Sequence, residues 1–471
     1  MIYKIPSNVI DQINDVVGPK GCLTDPVDLE PYLEEQRGYF VSQAAVVVRP
    51  ADTAEVSKVV SICAAAEIPI VPQGGNTGLT GGAVAGSGEV ILNLSRMNNV
   101  RELDPINDTI TVDAGCTLSQ VQTAALGAGR LFPLSLASEG SCQIGGNLSS
   151  NAGGNAVLRY GNARELTLGL EIVLPDGQIW NGLRGLRKDN TGYDLKQFFL
   201  GAEGTLGIIT GAVCRLFPLA RETETAFVAI ENISAATSVL GLAREFGGET
   251  VTAFELLSRR TLEFVLKNVS SARDPLADPH DWYVLLEFST ARKESELRKT
   301  MEEVLSASFE SDLVLDGVIA ESESQRQELW YLREAASDAQ KTEGASLKHD
   351  ISVPVSSVPE FIEQACAAVE NEIPGIRPVV FGHVGDGNVH FNLTQPEYSD
   401  RDSFLARRKE VGDIVHRIAA NMSGSISAEH GIGLLKRNEI RKYKSELELQ
   451  LMRGLKKCLD PDNLMNPGKI V

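Results

Sequence analysis

Residues 68–83 read IPIVPQGGNTGLTGGA, and the order of elements within them separates one nucleotide-binding architecture from another. The run 68–72 reads as a short buried strand, and the glycines at 74, 75, 78, 81 and 82 form the loop it enters. No helical periodicity starts after the loop, so the Rossmann order of strand, glycine turn and helix is absent. The GKS/T ending of a triphosphate-binding loop is missing too, and NAD and ATP are disfavoured. Glycine lets a backbone approach a pyrophosphate closely and point its amides at it. Alone, the loop reads equally well as a surface turn. Two further stretches tip the balance towards a long dinucleotide held by main-chain contacts: 133–154, PLSLASEGSCQIGGNLSSNAGG, and 201–210, GAEGTLGIIT.

Around these loops the pattern is mixed. Strands are expected at 44–50, 90–94 and 109–113 and helices at 52–66, opened by Asp52 and Glu55 as a capping box, and at 117–126. Asp176-Gly177 signals a hairpin. After residue 218 glycine becomes sparse, and amphipathic helices are expected at 235–246, 292–306 and 358–371, with a strand at 282–288. Three segments are therefore expected: 1–218, 219–425 and 426–471. The last ends in DPDNLMNPGKIV and is expected to fold back on the first.

Lys and Arg number 44 against 63 Asp and Glu, a formal charge of −19. Such a chain repels phosphate backbones, and nucleic acid is an unfavourable partner. An acidic protein that handles a carboxylate must gather positive charge locally. The seven cysteines are scattered singly, the pattern of a reducing compartment with buried thiols. No run approaches a membrane span, and residues 1–16 lack the features of a targeting peptide, so a cytoplasmic location is expected.

Of the six histidines, His383, His390 and His430 lie in two glycine-framed turns, FGHVGDGNVHFN and SAEHGIG. A two-residue turn at Asp386-Gly387 sets His383 opposite His390, with Cβ atoms about 5 Å apart. Taken alone, the pair reads as two core or surface histidines. Glu429, beside His430, adds a carboxylate, and two imidazoles with one carboxylate make the ligand set of a catalytic zinc site. Manganese, cobalt or iron suit similar ligands.

The motifs PQGGNTGLTGG, SCQIGGNLSSNAGG, LRKDNTGYDLKQFFLGAEGTLGIIT, FGHVGDGNVHFN, SAEHGIG and DPDNLMNPGK, in this order over the whole chain, resemble the vanillyl-alcohol-oxidase-type FAD flavoproteins and, within them, the D-2-hydroxyglutarate dehydrogenase branch. The resemblance implies an α+β chain: a PCMH-type FAD-binding domain, an α/β substrate domain with an antiparallel sheet, and a C-terminal segment that completes the active site. It implies FAD held by Pro72, Gly74, Gly75, Asn76, Thr77, Gly78, Ser138, Gly145, Asn147, Asn151, Gly153, Gly204, Gly207 and Ile208. The first glycine loop contains no histidine for a covalent link, so non-covalent FAD is expected. It assigns His383, His390 and Glu429 as ligands of zinc or another divalent transition metal, and His430 as general base.

Arg333, Ser337 and Lys348 are implied as a clamp for substrate carboxylate, with Asn392 adding a hydrogen bond. Ser337 stands where some relatives have Thr, and relatives acting on glycolate or D-lactate generally lack the Lys. A dicarboxylate needs more positive charge than a monocarboxylate, so Lys348 favours D-2-hydroxyglutarate. The expected reaction is oxidation of a D-2-hydroxy acid by hydride transfer to flavin N5. D-lactate, D-malate and glycolate stand as rival substrates, and a non-catalytic flavin-binding subunit of a redox complex as a rival of another class. Electron-transfer flavoprotein or a quinone-linked carrier is the expected acceptor type, and a homodimer the default assembly.

Overall fold

The computed structural model describes residues 5–471. The chain forms two compact units, Met1–Gly153 with Gly161–Pro218 and Glu429–Val471, and Gly154–Tyr160 with Leu219–Ala428.

In the first unit, strands Val46–Val48, Val90–Asn93 and Ile70–Gln73 run parallel, with Cys22–Leu23 antiparallel at one edge. Parallel strands are covered on both faces, which is why these segments are continuous apolar runs. Val46, Val47, Val48, Val90, Ile91 and Leu92 are all 0% exposed, and cutting Ile91 back to Ala is expected to destabilise by about 2–5 kcal/mol. Pro72 is tolerated because its strand pairs on one side only, with Val90–Asn93, leaving its own missing N–H unrequired. The C-terminal stretch covers part of the other side: Ile70 donates to the Leu464 carbonyl at 2.8 Å, and Asn466 donates to that of Ile70 at 2.7 Å. Helix Thr53–Ala65 packs Val56, Val59, Val60 and Cys63 inward. The Asp52 side chain caps this helix by accepting from Glu55 N, but the expected capping box is only half formed, because Glu55 reaches back to Ala51 N instead.

A second sheet in this unit is antiparallel, in the order Val100–Asp104, Thr109–Asp113, Ile208–Arg215, Thr167–Val173, Ile179–Gly182. The loop at Asp176-Gly177 joins its last two strands. It is longer than a two-residue turn, with Val173 pairing Ile179 and Leu174 N bonding the Gln178 carbonyl.

The second unit is built on a seven-stranded, wholly antiparallel sheet in the order Val314–Ile319, Glu222–Ile230, Trp282–Thr290, Val251–Ser258, Arg377–Gly382, Asn388–Thr394, Ser346–Ser352. Alternate residues face opposite sides. One face, with Val228, Leu256, Val284, Val380 and Phe391, packs helices Ile233–Gly247, Leu297–Glu310, Val358–Glu372 and Arg408–Asn421. The other, with Phe227, Leu257, Tyr283, Val379 and Phe381, packs the shorter helices Arg259–Asn268 and Glu323–Glu334. Helix Leu297–Glu310 starts later than the sequence suggests, because Ser295 is bound through both its N–H and its hydroxyl to the Glu222 carboxylate, which keeps the preceding residues in a loop.

Candidate active site

In the first unit a cleft of about 1000 Å³, partly open to solvent, lies where the glycine-rich segments meet. Strand Ile70–Gln73 delivers the first loop. Gln73 donates to the Tyr32 carbonyl at 2.9 Å, and Asn93 Nδ2 binds both Gln73 Oε1 at 3.1 Å and the Gly74 carbonyl at 3.0 Å, fixing where the loop departs. At Gly75 the chain passes so close to its neighbour that a Cβ would lie 2.0 Å from the Ser141 carbonyl oxygen. Only glycine fits there.

Pro72, Gly74, Gly75, Asn76, Thr77 and Gly78 all line this cleft, as do Gly145, Asn147, Gly204, Gly207 and Ile208, and so does His430. The structure does not place Ser138, Asn151 or Gly153 in the lining. Asn151 ends helix Ile144–Ser150 in the left-handed conformation and accepts the Arg164 N–H at 3.0 Å. Gly153 makes room for Glu429, whose Oε1 lies 2.4 Å from where a Cβ would be.

The lining suits a dinucleotide. It contains no Lys or Arg and does contain Glu35 and Glu203, so a pyrophosphate here must be held by main-chain amides and glycine openings rather than by cations. Gly78 and Gly146 face open space. Buried Oε1 atoms of Glu35 and Gln143 have no hydrogen-bond partner among the described residues, acceptors that suit the N–H and O–H donors of a flavin dinucleotide. Glu203 is held well above the ordinary carboxylate range, chiefly by desolvation, which the amides of Ile432 and Gly433 and the charge of Lys436 only partly offset.

The second unit gathers the remaining polar residues on one sheet face. Register sets Lys348 opposite Asn392 and Asp350 opposite His390 on adjacent strands, so the four share a side. Lys348 Nζ donates to Ser337 Oγ at 3.1 Å. Asn392 Nδ2 donates to Gln340 Oε1 at 3.1 Å, and the 0%-exposed Gln340 is itself tied to Thr394 Oγ1 at 2.9 Å. The expected two-residue turn at Asp386-Gly387 is not formed. Phe381, not His383, stands opposite His390, and 383–387 form a five-residue connection closed by Asp386 N and Asn388 N on the His383 carbonyl. Gly387 is pressed against the Val353 carbonyl, 2.2 Å from its would-be Cβ, which holds the longer loop down. The two imidazoles nevertheless meet, with ring centroids 5.3 Å apart.

Glu255, on strand Val251–Ser258, organises this cluster and was invisible to motif reading. Its Oε2 accepts Arg333 Nε at 2.6 Å and its Oε1 lies 2.6 Å from His383 Nδ1. Arg333 also lies over the Phe381 ring at 4.8 Å, and its Nη2 is 3.5 Å from His383 Nε2. Burial, the largest single influence, works to raise the Glu255 pKa; the charges and hydrogen bonds of His383 and Arg333 together outweigh it and hold the group down at about 2. Ionised Glu255 accepts from His383 Nδ1 and so orients the ring, turning Nε2 away from the carboxylate. Asp350 lies behind His390 at a longer distance, Oδ1 to Nδ1 at 3.7 Å, and is itself braced by Asn388 Nδ2 at 2.9 Å. Carboxylates behind the second ring nitrogen are the usual support of metal-binding histidines, so this pair fits a divalent ion. Glu429 lies in the first unit, beside His430. The sequence signal for Glu255 is weak: a lone acid within an apolar strand, AFELLS.

The features of the two units are those of a flavin-dependent oxidoreductase, and the comparisons agree. Residues 44–182 match the FAD binding domain family and 219–470 the C-terminal domain of the FAD linked oxidases. Similar proteins include a probable mitochondrial D-2-hydroxyglutarate dehydrogenase of Oryza sativa subsp. indica, 37% identical over 99% of this chain and 82% of that one. Another is the D-2-hydroxyglutarate dehydrogenase of Xanthomonas citri pv. viticola, 36% identical over 95% of this chain and 93% of that one. Substrate-bound p-cresol methylhydroxylase shares the fold, with a TM-score of 0.78 at 16% identity over 98% of this chain and 96% of that one. The chain belongs to the FAD-dependent D-2-hydroxyglutarate dehydrogenase family.

Proposed function

We propose that the protein oxidises D-2-hydroxyglutarate to 2-oxoglutarate with FAD and a divalent transition metal, zinc being the first choice. The observation that carries this reading is the shared face of Lys348, Asn392, His390 and Asp350, with Arg333 and His383 keyed together by Glu255. It supplies two cations for two carboxylates and two carboxylate-oriented imidazoles for an ion.

When bound, FAD supplies a hydride acceptor at N5 and the ion supplies Lewis acidity at the C2 oxygen. His383 and His390 hold the ion, with Glu429 as third ligand, an assignment that rests on its place in the SAEHGIG motif. Arg333 grips the carboxylate next to C2. Its Nε is occupied by Glu255 and its Nη2 lies 3.5 Å from His383 Nε2, so Nη1 is the donor offered to substrate. Lys348, aided by Ser337, pairs with the distal carboxylate, and Asn392 adds a hydrogen bond. His430 accepts the C2 hydroxyl proton as the hydride leaves C2. Of the FAD-side residues named from sequence, those that line the cleft hold the cofactor, Pro72 by packing and the others through main-chain amides. Electron-transfer flavoprotein or a quinone-linked carrier is the proposed acceptor type, the cytoplasm the proposed location and a homodimer the proposed assembly. Among the described residues no helix is long and apolar enough to cross a membrane.

The test is a substrate panel of D-2-hydroxyglutarate, D-malate, D-lactate and glycolate on the FAD-loaded enzyme, with an artificial electron acceptor. D-2-hydroxyglutarate should have the highest kcat/KM. A clear preference for D-lactate or glycolate would refute the assignment.

A further inference from the structure

We infer that Glu203 is a positioning residue that locks the turn carrying His430 to the wall of the cofactor cleft. This rests on the reading of His430 as the proton acceptor. The Glu203 carboxylate spends both oxygens on that turn: Oε1 accepts Ile432 N at 2.7 Å and Oε2 accepts Gly433 N at 2.8 Å. Gly431 and Gly433 both have positive φ, 76° and 50°, and a Cβ at Gly431 would lie 2.8 Å from Glu203 Oε1, so the turn is shaped around this carboxylate. Glu203 is itself held in the left-handed region, φ 50°. Its N–H donates to the Ser149 carbonyl at 2.8 Å and its carbonyl accepts Asn466 Nδ2 at 2.7 Å.

A second tie comes from the first glycine loop. Thr80 Oγ1 donates to the His430 carbonyl at 3.1 Å, and the Thr80 carbonyl accepts the N–H groups of Leu434 and Leu435 at 2.9 and 3.0 Å. Asn466 Nδ2 also reaches the Gly82 carbonyl at 3.0 Å. Thr80, Glu203 and His430 all line the same cleft. The loop that fits the cofactor, the GAEG segment and the turn bearing the base are thus one hydrogen-bonded assembly within the first unit. A non-Gly residue in a left-handed conformation, with a half-buried carboxylate whose ionisation is penalised, is unfavourable for stability alone. Its return is a fixed imidazole.

The experiment is anaerobic single-turnover flavin reduction by substrate in the FAD-loaded wild type, Glu203→Gln, His430→Asn and the double variant. In Glu203→Gln one N–H of the turn meets an amide N–H2 rather than an acceptor. The reduction rate should fall about 10- to 100-fold, while the flavin stays bound and the half-saturating substrate concentration moves by less than about 3-fold. The double variant should be no slower than His430→Asn, because Glu203 acts through His430. A wild-type rate in Glu203→Gln, or losses that multiply in the double variant, would overturn the inference. If His430→Asn itself reduces flavin at the wild-type rate, the base assignment fails and this inference falls with it, a pattern distinct from failure at Glu203 alone. Should Glu203→Gln not retain FAD, Thr80→Val keeps the side-chain volume and removes only the hydroxyl tie. It should lose about 3- to 10-fold, and an unaltered rate there overturns the proposal.

Discussion

Replacing Glu255 by Gln should damage stability and catalysis together, by amounts that the geometry allows to be worked out. The carboxylate is 1% exposed and makes two 2.6 Å contacts, to Arg333 Nε and His383 Nδ1. An amide can accept from one of them but must turn its N–H2 towards the other. At least one charge-assisted hydrogen bond is lost, about 1.5–3 kcal/mol. The 7%-exposed Arg333 then also loses its buried countercharge, and removing one member of such a pair costs about 3–5 kcal/mol in total. At about 2–4 °C per kcal/mol for a unit of roughly 200 residues, thermal unfolding should move down by about 6–20 °C. Because the same change releases either Arg333 or His383 from its fixed position, kcat/KM should fall about 100-fold or more. The double variant Glu255→Leu/Arg333→Met removes both charges and should recover most of the stability without recovering activity. Urea melts and steady-state kinetics on the three proteins make the check. A Glu255→Gln enzyme within about 1 kcal/mol of wild type and fully active would refute the reasoning.

Other outcomes follow from the same contacts. Lys348→Met should raise KM for D-2-hydroxyglutarate by about 10- to 100-fold, the worth of one charged hydrogen bond, and should leave D-lactate turnover nearly unchanged; equal losses on both substrates would remove Lys348 from the distal carboxylate. Asp350→Asn should weaken metal affinity by about 10- to 100-fold through His390, read by competition with a chromogenic chelator, and unchanged affinity would deny Asp350 that role. Glu203 has a raised folded-state pKa, so the folded protein binds its proton more readily than the unfolded chain does. Its ionisation therefore subtracts stability at neutral pH, and stability should rise as pH falls from neutral towards the ordinary glutamate range. Glu203→Gln should flatten that slope in denaturant melts at several pH values, and an identical slope would show that the group does not titrate there.

Sequence reading reached the fold through features whose physics is local. Continuous apolar runs at Val46–Val48, Ile70–Gln73 and Val90–Asn93 mark parallel strands buried on both faces, and the glycine loop that follows the second is where the cleft forms. Helix Leu118–Gly127 carries the full Thr117–Gln120 capping box within a stretch expected to be helical. Long-range relations were less legible. The His383 turn is longer than two residues because it is set by packing against Val353 and not by the Asp-Gly pair alone. Glu255 is about 80 residues upstream of Arg333 and 130 upstream of His383 along the chain, so no local pattern joins them. Glu203 was seen only as part of GAEGTLGIIT, and its grip on Ile432 and Gly433 spans more than 200 residues. Gly153, read as a cofactor contact, also stands against Glu429, a long-range relation that no local pattern shows.

The most direct measurement is anaerobic mixing of the FAD-loaded protein with D-2-hydroxyglutarate, with and without prior treatment by a chelator, following the visible flavin band and the 2-oxoglutarate formed. The band should bleach in the untreated protein with one 2-oxoglutarate released per flavin; it should persist after chelation and bleach again when zinc is restored. Bleaching that is indifferent to the chelator would contradict the metal's part, and a band untouched by D-2-hydroxyglutarate but bleached by D-lactate would contradict the substrate.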